Sequence, residues 1–271
     1  INYSIVTNID KEHLDYYKNF INLLEAFKVF IEKTPPIGKS FLFLDDLNIR
    51  KIIKKLKTKN YFTFGFHEDS NYQICNVKYE IDYTTFDLKI KNVGSKNFHI
   101  KNIILNLIGK HNVVNAVAAI SLCLNLGLKE SIIKKALRNF SGVQRRLTKV
   151  FKKNKIEFYD DYAHHPTEIS SVLEGVKVVA KKRKIISIFQ PHRYSRIKSL
   201  KLEFASCFKD SNLVMLCPMY AAGESVDRTY NQNRFAQLIS KFSKTQVILI
   251  KNETNLTKYF KKNLINNEIV I

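Results

Sequence analysis

Apolar positions recur along this chain in two rhythms, and the change from one to the other marks out its elements. Residues 3–7 form a short apolar run that reads as a strand. After the polar stretch 8–15, Tyr16, Phe20, Leu23, Leu24, Phe27 and Phe30 recur at helical spacing and predict one amphipathic helix. Pro35-Pro36-Ile37-Gly38 stops it. Residues 41–44 read as a second strand running into Asp45-Asp46, and 49–57 as a short basic helix. From Tyr61 to Leu107 the period falls to two, in the runs 61–66, 72–79, 86–90 and 98–107. This predicts an antiparallel section attached to an α/β core.

Gly109-Lys110-His111-Asn112 opens a long helix through Leu122 and Leu126, closed by Gly127, and a second helix spans 130–139. Gly142 is a plausible joint, because a new pattern begins at Val143. Strands near 147–151, 156–159, 185–189, 213–217, 247–250 and 269–271 are interleaved with helices near 166–182, 193–209, 234–241 and 256–262. Such alternation predicts a mostly parallel sheet covered on both faces. The expectation is therefore an α/β chain of two domains, 1–141 and 142–271. Both ends read as cut from a longer protein: Ile1 falls directly into an apolar strand, and the chain ends in the strand-like Glu268-Ile269-Val270-Ile271.

Composition narrows the classes. Of 271 residues 45% are hydrophobic and 25% charged, which is globular rather than disordered. No apolar run reaches the ~18–20 residues a membrane span needs, and no signal peptide is visible. The formal charge of +21, from 45 Lys+Arg against 24 Asp+Glu, would suit nucleic acid, an anionic membrane or phosphorylated substrates. The basic residues are scattered over a Lys-, Ile- and Asn-rich sequence, and no nucleic-acid-binding module is recognisable. The charge is therefore expected to be a compositional bias, and no nucleic-acid partner is expected. Cys75, Cys123, Cys207 and Cys217 have no CxxC spacing and read as buried, reduced thiols of a cytoplasmic protein.

Four polar clusters fall at strand-to-helix transitions, where ligands bind in open parallel sheets. Asp10, Glu12, His13 and Asp15 could ligate a cation or form an ordinary charged turn. His111 and Asn115 are one helical turn apart, suited to the edge of a purine or to a plain polar helix face. The stretch 160–168, Asp-Asp-Tyr-Ala-His-His-Pro-Thr-Glu, is denser in proton-moving groups than a structural loop requires, with Pro166 suited to a first helical turn. In 192–196, His-Arg-Tyr-Ser-Arg, the two arginines are three apart at a predicted helix start, hence on one face, and could clamp a carboxylate or phosphate.

These clusters carry a resemblance. Thr7-Asn8-Ile9 with His13-Leu14-Asp15, Gly109-x-His111-Asn112-x-x-Asn115-Ala116, Gly142-Val143-x-Arg145-Arg146, the 160–168 stretch, Gln190-Pro191-His192-Arg193-Tyr194-Ser195-Arg196 and Tyr220-Ala221-Ala222-Gly223-Glu224 occur in order over nearly the whole chain. Together they resemble the Mur ligases of peptidoglycan synthesis, most closely those that add L-alanine to UDP-N-acetylmuramate. The resemblance implies part of the central ATPase domain, a mixed sheet with an antiparallel section, followed by a Rossmann-like C-terminal α/β domain that binds the amino acid. It implies that ATP and Mg²⁺ convert the lactyl carboxylate of UDP-N-acetylmuramate to an acyl phosphate, which the L-alanine amine attacks. It assigns His13 to Mg²⁺, His111 and Asn115 to adenine, and Arg146 to the nucleotide phosphates. Asp161 would face the nucleotide, while Tyr162, His164, Arg193 and Arg196 would shape the alanine pocket. His164 is expected to orient the amine or take its proton.

The family's phosphate loop, GTxGKT/S, is not in this sequence, so the chain as it stands is expected not to turn over. The acidic residue before His13 is Glu12 where Asp is usual, with Asp10 where Glu is common. The rival expectations are a recycling ligase that attaches a murein tripeptide, a non-catalytic nucleotide-binding remnant, and a basic nucleic-acid-binding protein, the last requiring a contiguous Lys/Arg stripe.

Overall fold

Each of the two patterned stretches closes into a six-stranded sheet in the computed structural model, which describes residues 2–80, 82–94, 97–264 and 267–271. Contacts divide the chain into two units, Ile1–Ser141 and Gly142–Ile271.

The first unit runs β1 (Tyr3–Val6), α1 (Leu14–Tyr17), α2 (Phe20–Glu32), β2 (Lys39–Phe43), α3 (Leu47–Ile53), β3 (Tyr61–Gly65), β4 (Tyr72–Tyr79), β5 (Thr84–Ile90), β6 (Phe98–Leu105), α4 (Lys110–Asn125) and α5 (Glu130–Asn139). Its strands lie in chain order, β1 to β6. Successive residues of β2 face opposite ways, as strand geometry demands. Phe41 enters a core with Phe64, Tyr72, Phe86 and Leu88, covered by Val113, Ala116 and Val117 of α4. Leu42 enters a second core with Val6, Leu23, Ile31 and Ile49 beneath α2 and α3. Both faces of the sheet are thereby covered. Each fully buried Phe or Leu contributes roughly 1.5–3 kcal/mol of burial free energy.

The second unit runs β7 (Thr148–Lys153), β8 (Ile156–Asp160), α6 (Pro166–Ala180), β9 (Lys184–Phe189), α7 (Tyr194–Ser199), α8 (Lys201–Ser206), β10 (Leu213–Leu216), α9 (Gln232–Ser243), β11 (Gln246–Leu249), α10 (Glu253–Asn263) and β12 (Glu268–Val270). The strand order is β11-β10-β9-β12-β8-β7, parallel except for the β7–β8 hairpin. Ile186, Met215 and Val270 pack with Phe260 of α10, while Phe189 packs against Phe204 and Phe208. The α/β class with a mixed first sheet and a Rossmann-like second one is as expected.

Local expectations were less secure. The antiparallel section does not begin at Tyr61: β3 pairs parallel with both β2 and β4, and only β4–β6 run antiparallel. Period-two alternation records a covered sheet face, not strand direction. The single helix read from Tyr16 to Phe30 is broken at Lys18 (φ 69°), and Asn19 caps the new helix by accepting the Asn22 N–H. Tyr16 is 76% exposed, and Ile31 rather than Phe30 fills the core. The basic helix stops at Ile53, earlier than expected. The helix expected over 193–209 is α7 and α8 with a kink at Leu200; Ile197, Leu200 and Phe204 are each buried. All four cysteines are free, but only Cys207 is buried; the others are half-exposed. No helix among the described residues is long and apolar enough to cross a membrane.

Candidate active site

In the first unit the loops after β1, β2 and β3 are stitched together by two aspartates. Asp46 caps α3 through the Asn48 and Ile49 N–H groups and also accepts the Ile9 N–H, while the Asn48 amide donates to the Ile9 carbonyl. Asp45 accepts the N–H groups of Phe66 and His67, joining the ends of β2 and β3. Its carboxylate presses on Gly65, where a Cβ would lie 2.0 Å from Oδ2 and where φ is +146°. Only glycine fits there. The Lys110 ammonium sits 4.9 Å over the Phe66 ring, which brings the start of α4 to the same set of loops. Sequence reading noted Asp45-Asp46 only as a strand end. A pair of acids directly before a predicted helix was the available signal.

His13 lies in this loop system as the left-handed N-cap of α1, exposed to solvent. Among the described residues no three His, Cys, Asp or Glu side chains converge on a metal position. The donor set therefore does not fit a protein-built cage. One exposed imidazole, that of His13, fits only a cation whose other ligands come from outside the protein, such as phosphate oxygens and water. On α4, Val113, Val114, Ala116 and Val117 are buried, whereas Asn115 and Ala119 are exposed and His111, one turn before Asn115, is half-buried with its Nδ1 out of solvent. The methyl of Ala119 leaves room beside an amide that can both donate and accept, which fits a flat heterocycle edge. Asn112 is structural: its amide donates to the Ile108 carbonyl.

In the second unit the loops after β8, β9 and β10 carry a ring relay. Tyr162 and His164 meet edge to face at 5.2 Å, His164 and His192 lie 6.1 Å apart, and His192 and Tyr220 lie 5.4 Å apart. The Arg145 guanidinium covers Tyr162 at 4.7 Å while pairing with Asp160 at 3.4 Å. Arg146 pairs with Glu168 at 3.4 Å. Asp161 is a clamp: its two oxygens accept the Leu147 and Ala163 N–H groups, each at 2.7 Å.

Hydrogen bonding fixes the imidazoles. The Tyr162 carbonyl, 2.9 Å from His164 Nδ1, can only accept, so the proton sits on Nδ1 and the neutral ring carries its lone pair on Nε2. Arg196 can only donate, so His192 Nδ1, 3.1 Å away, is the acceptor. Burial, with Arg196, His164 and Arg193 nearby, pushes His192 below its ordinary value and keeps it neutral near pH 7. His165 serves the fold: it is buried, caps α6 and accepts the Thr167 N–H. Burial raises the Glu168 carboxyl, but the His164 and His165 N–H groups, the Arg146 charge and, at the acidic pH where a carboxyl titrates, the protonated His164 ring outweigh it, and the net direction is downward.

The arginine pair differs from expectation. Arg196 is in α7, but Arg193 is its N-cap with φ 67° and ψ 127°, outside the helix, so shared helical face is not what relates them. Backbone in that region costs of order 1–3 kcal/mol and persists only when its surroundings impose it. Here the Arg193 N–H donates to the Tyr220 carbonyl and the Tyr220 N–H to the Pro191 carbonyl, at 2.9 and 2.8 Å. Glu224 accepts both the N–H and the hydroxyl of Ser195. Burial raises the Glu224 carboxyl, but these donors and the Arg193 charge bring it below its usual range. Sequence reading placed Glu224 in a motif without giving it a task.

Two consecutive domain families account for most of the chain. Residues 1–123 match the Mur ligase middle domain, and residues 145–271 match the Mur ligase glutamate ligase domain. A UDP-N-acetylmuramate–L-alanine ligase of Pelagibacter ubique is 46% identical over 269 residues, covering 99% of this chain and 58% of that protein. A crystal structure of UDP-N-acetylmuramate–alanine ligase from Thermotoga maritima superposes with a TM-score of 0.74 at 24% identity, over 99% of this chain and 55% of that one. A murein peptide ligase from Psychrobacter arcticus gives a TM-score of 0.64 at 17% identity, over 99% of this chain and 53% of that one. The chain thus spans little more than half the length of these proteins.

Proposed function

Because the chain belongs to the Mur ligase family, we propose that it provides the nucleotide-side and amino-acid-side portions of a cytoplasmic ligase joining L-alanine to the lactyl carboxylate of UDP-N-acetylmuramate. ATP, with Mg²⁺, supplies the phosphoryl group that makes that carboxylate an electrophile. The observation that carries the reading is the second-unit cluster, in which an oriented imidazole, His164, stands beside a neutral His192 that anchors Arg196. Arg196 and Arg193 provide the guanidinium groups for the amino-acid carboxylate. Tyr162, under Arg145, walls the pocket and supplies the carbonyl that sets the His164 tautomer. With its lone pair on Nε2, His164 takes a proton from the alanine ammonium, and the freed amine forms the C–N bond as phosphate leaves the acyl carbon.

In the first unit, His111 and Asn115 of α4 are assigned to adenine, and His13 contributes to the metal. Arg146 is the guanidinium assigned to the nucleotide phosphates. Asp161 acts through the backbone: by fixing Leu147 and Ala163 it holds the turn bearing Arg145 and Arg146 against the loop bearing His164. The 46% identity to an L-alanine ligase favours the amino acid over a tripeptide as the second substrate.

The test is phosphate release by the intact protein that carries this chain, supplied with ATP, Mg²⁺ and UDP-N-acetylmuramate. Release that requires L-alanine is expected. Release driven better by the murein tripeptide would replace this reading with the recycling one, and no release with any amino acid or peptide would favour the remnant.

A further inference from the structure

Two residues other than glycine take positive φ on either side of one contact in the second unit. Arg193 has φ 67°, and Ala222 has φ 52°. The Glu224 N–H donates to the Ala221 carbonyl at 3.1 Å across Ala222 and Gly223, closing a turn with positive φ at both central positions. That is the geometry of a type I′ turn, which favours glycine and tolerates alanine poorly. At Gly223, φ is 86° although a Cβ would meet nothing within 4 Å, so it is the backbone angle and not space that calls for glycine. The turn delivers the Glu224 carboxylate to the N–H and hydroxyl of Ser195, the second residue of α7. Arg193, the N-cap of α7, makes no side-chain capping bond of its own. A bridge between His192 and Tyr220 and the Arg193–Tyr220 backbone bond complete the attachment.

We propose that Glu224 is a positioning residue: as an external cap on α7 it splints residues 191–196 to the 220–224 turn, and so sets the directions of Arg193 and Arg196. Its part is indirect, through the backbone, and it is assigned no contact with any of the three substrates. Its effect passes through two backbones, one of which would relax from its unusual conformation if released. The functional half of the inference rests on the ligase reading given above, whereas the splint itself does not.

Two measurements separate these. In the chain as it stands, Glu224→Ala should speed amide hydrogen exchange at Arg193 and Ser195, with the exchange of β9 and β10 unchanged. Glu224→Gln, which retains an acceptor for Ser195, should stay near the parent. Unchanged protection in the alanine variant would overturn the splint. In the intact protein, provided the parent shows L-alanine-dependent phosphate release, Glu224→Ala should raise KM for L-alanine by at least about tenfold. KM for ATP should stay within about twofold, and the glutamine variant should recover most of the loss. A KM for L-alanine equal to the parent's would overturn the positioning role, and a parent without that activity would instead count against the ligase reading.

Discussion

The two units hold their polar loops by different means. In the first, Asp45 and Asp46 place their carboxylates on backbone N–H groups, and the side chains proposed for ligands are few: an exposed His13, and His111 with Asn115 on α4. In the second, rings and guanidinium groups contact each other directly, and Arg193, proposed above for the amino-acid carboxylate, sits in a backbone conformation that its neighbours impose. The difference suits the ligands proposed. A nucleotide brings its own charges and metal, so its site needs a scaffold with a few contacts. L-alanine offers only an ammonium, a carboxylate and a methyl, so its site must supply orientation in advance.

The comparison breaks most visibly at His164. If that cluster is prearranged for proton transfer, His164→Ala in the intact protein should lower kcat by about 100-fold or more, while KM for ATP moves by less than about twofold. Steady-state kinetics with each substrate varied would measure this, and an unchanged kcat would remove His164 from the chemistry. The first unit should fail differently. Gly65→Ala must displace the Asp45 carboxylate from the space it occupies and take up an unfavourable φ, so a loss of about 1–3 kcal/mol is expected in denaturant unfolding. An alanine variant as stable as the parent would show that this clamp yields.

The smallest effect concerns pH. The folded-state carboxyl of Glu168 lies below its ordinary value of 4.5, so its stabilising contribution is complete above that value and is lost as pH falls through the lower folded value. Thermal melts from pH 6 down to about pH 3 should therefore show the parent losing its advantage over Glu168→Gln. A difference independent of pH would assign the role of Glu168 to hydrogen bonding alone.

Candidate residues could be picked out before any fold was known, because 160–168 and 192–196 crowd polar and titratable groups. Their tasks could not. His164 and His165 are adjacent and alike in sequence, yet one is partly exposed with Nδ1 on the Tyr162 carbonyl and the other is a buried helix cap. Asp161 proved to be a backbone clamp, and Glu224 matters through a contact with Ser195, 29 residues away. Spacing carries no record of such partners.

What the sequence determined alone is what depends on short-range period: nearly all the strands, the bounds of α5 from Glu130 to Asn139, and the α/β class, since alternation and helical spacing follow from which face of an element is covered. Tertiary structure decided what local period leaves undetermined. It set the parallel pairing of β3, the kink at Leu200 between α7 and α8, and the positive φ of Arg193. Each of these is unfavourable or neutral for the isolated segment and is selected by contacts made elsewhere in its unit.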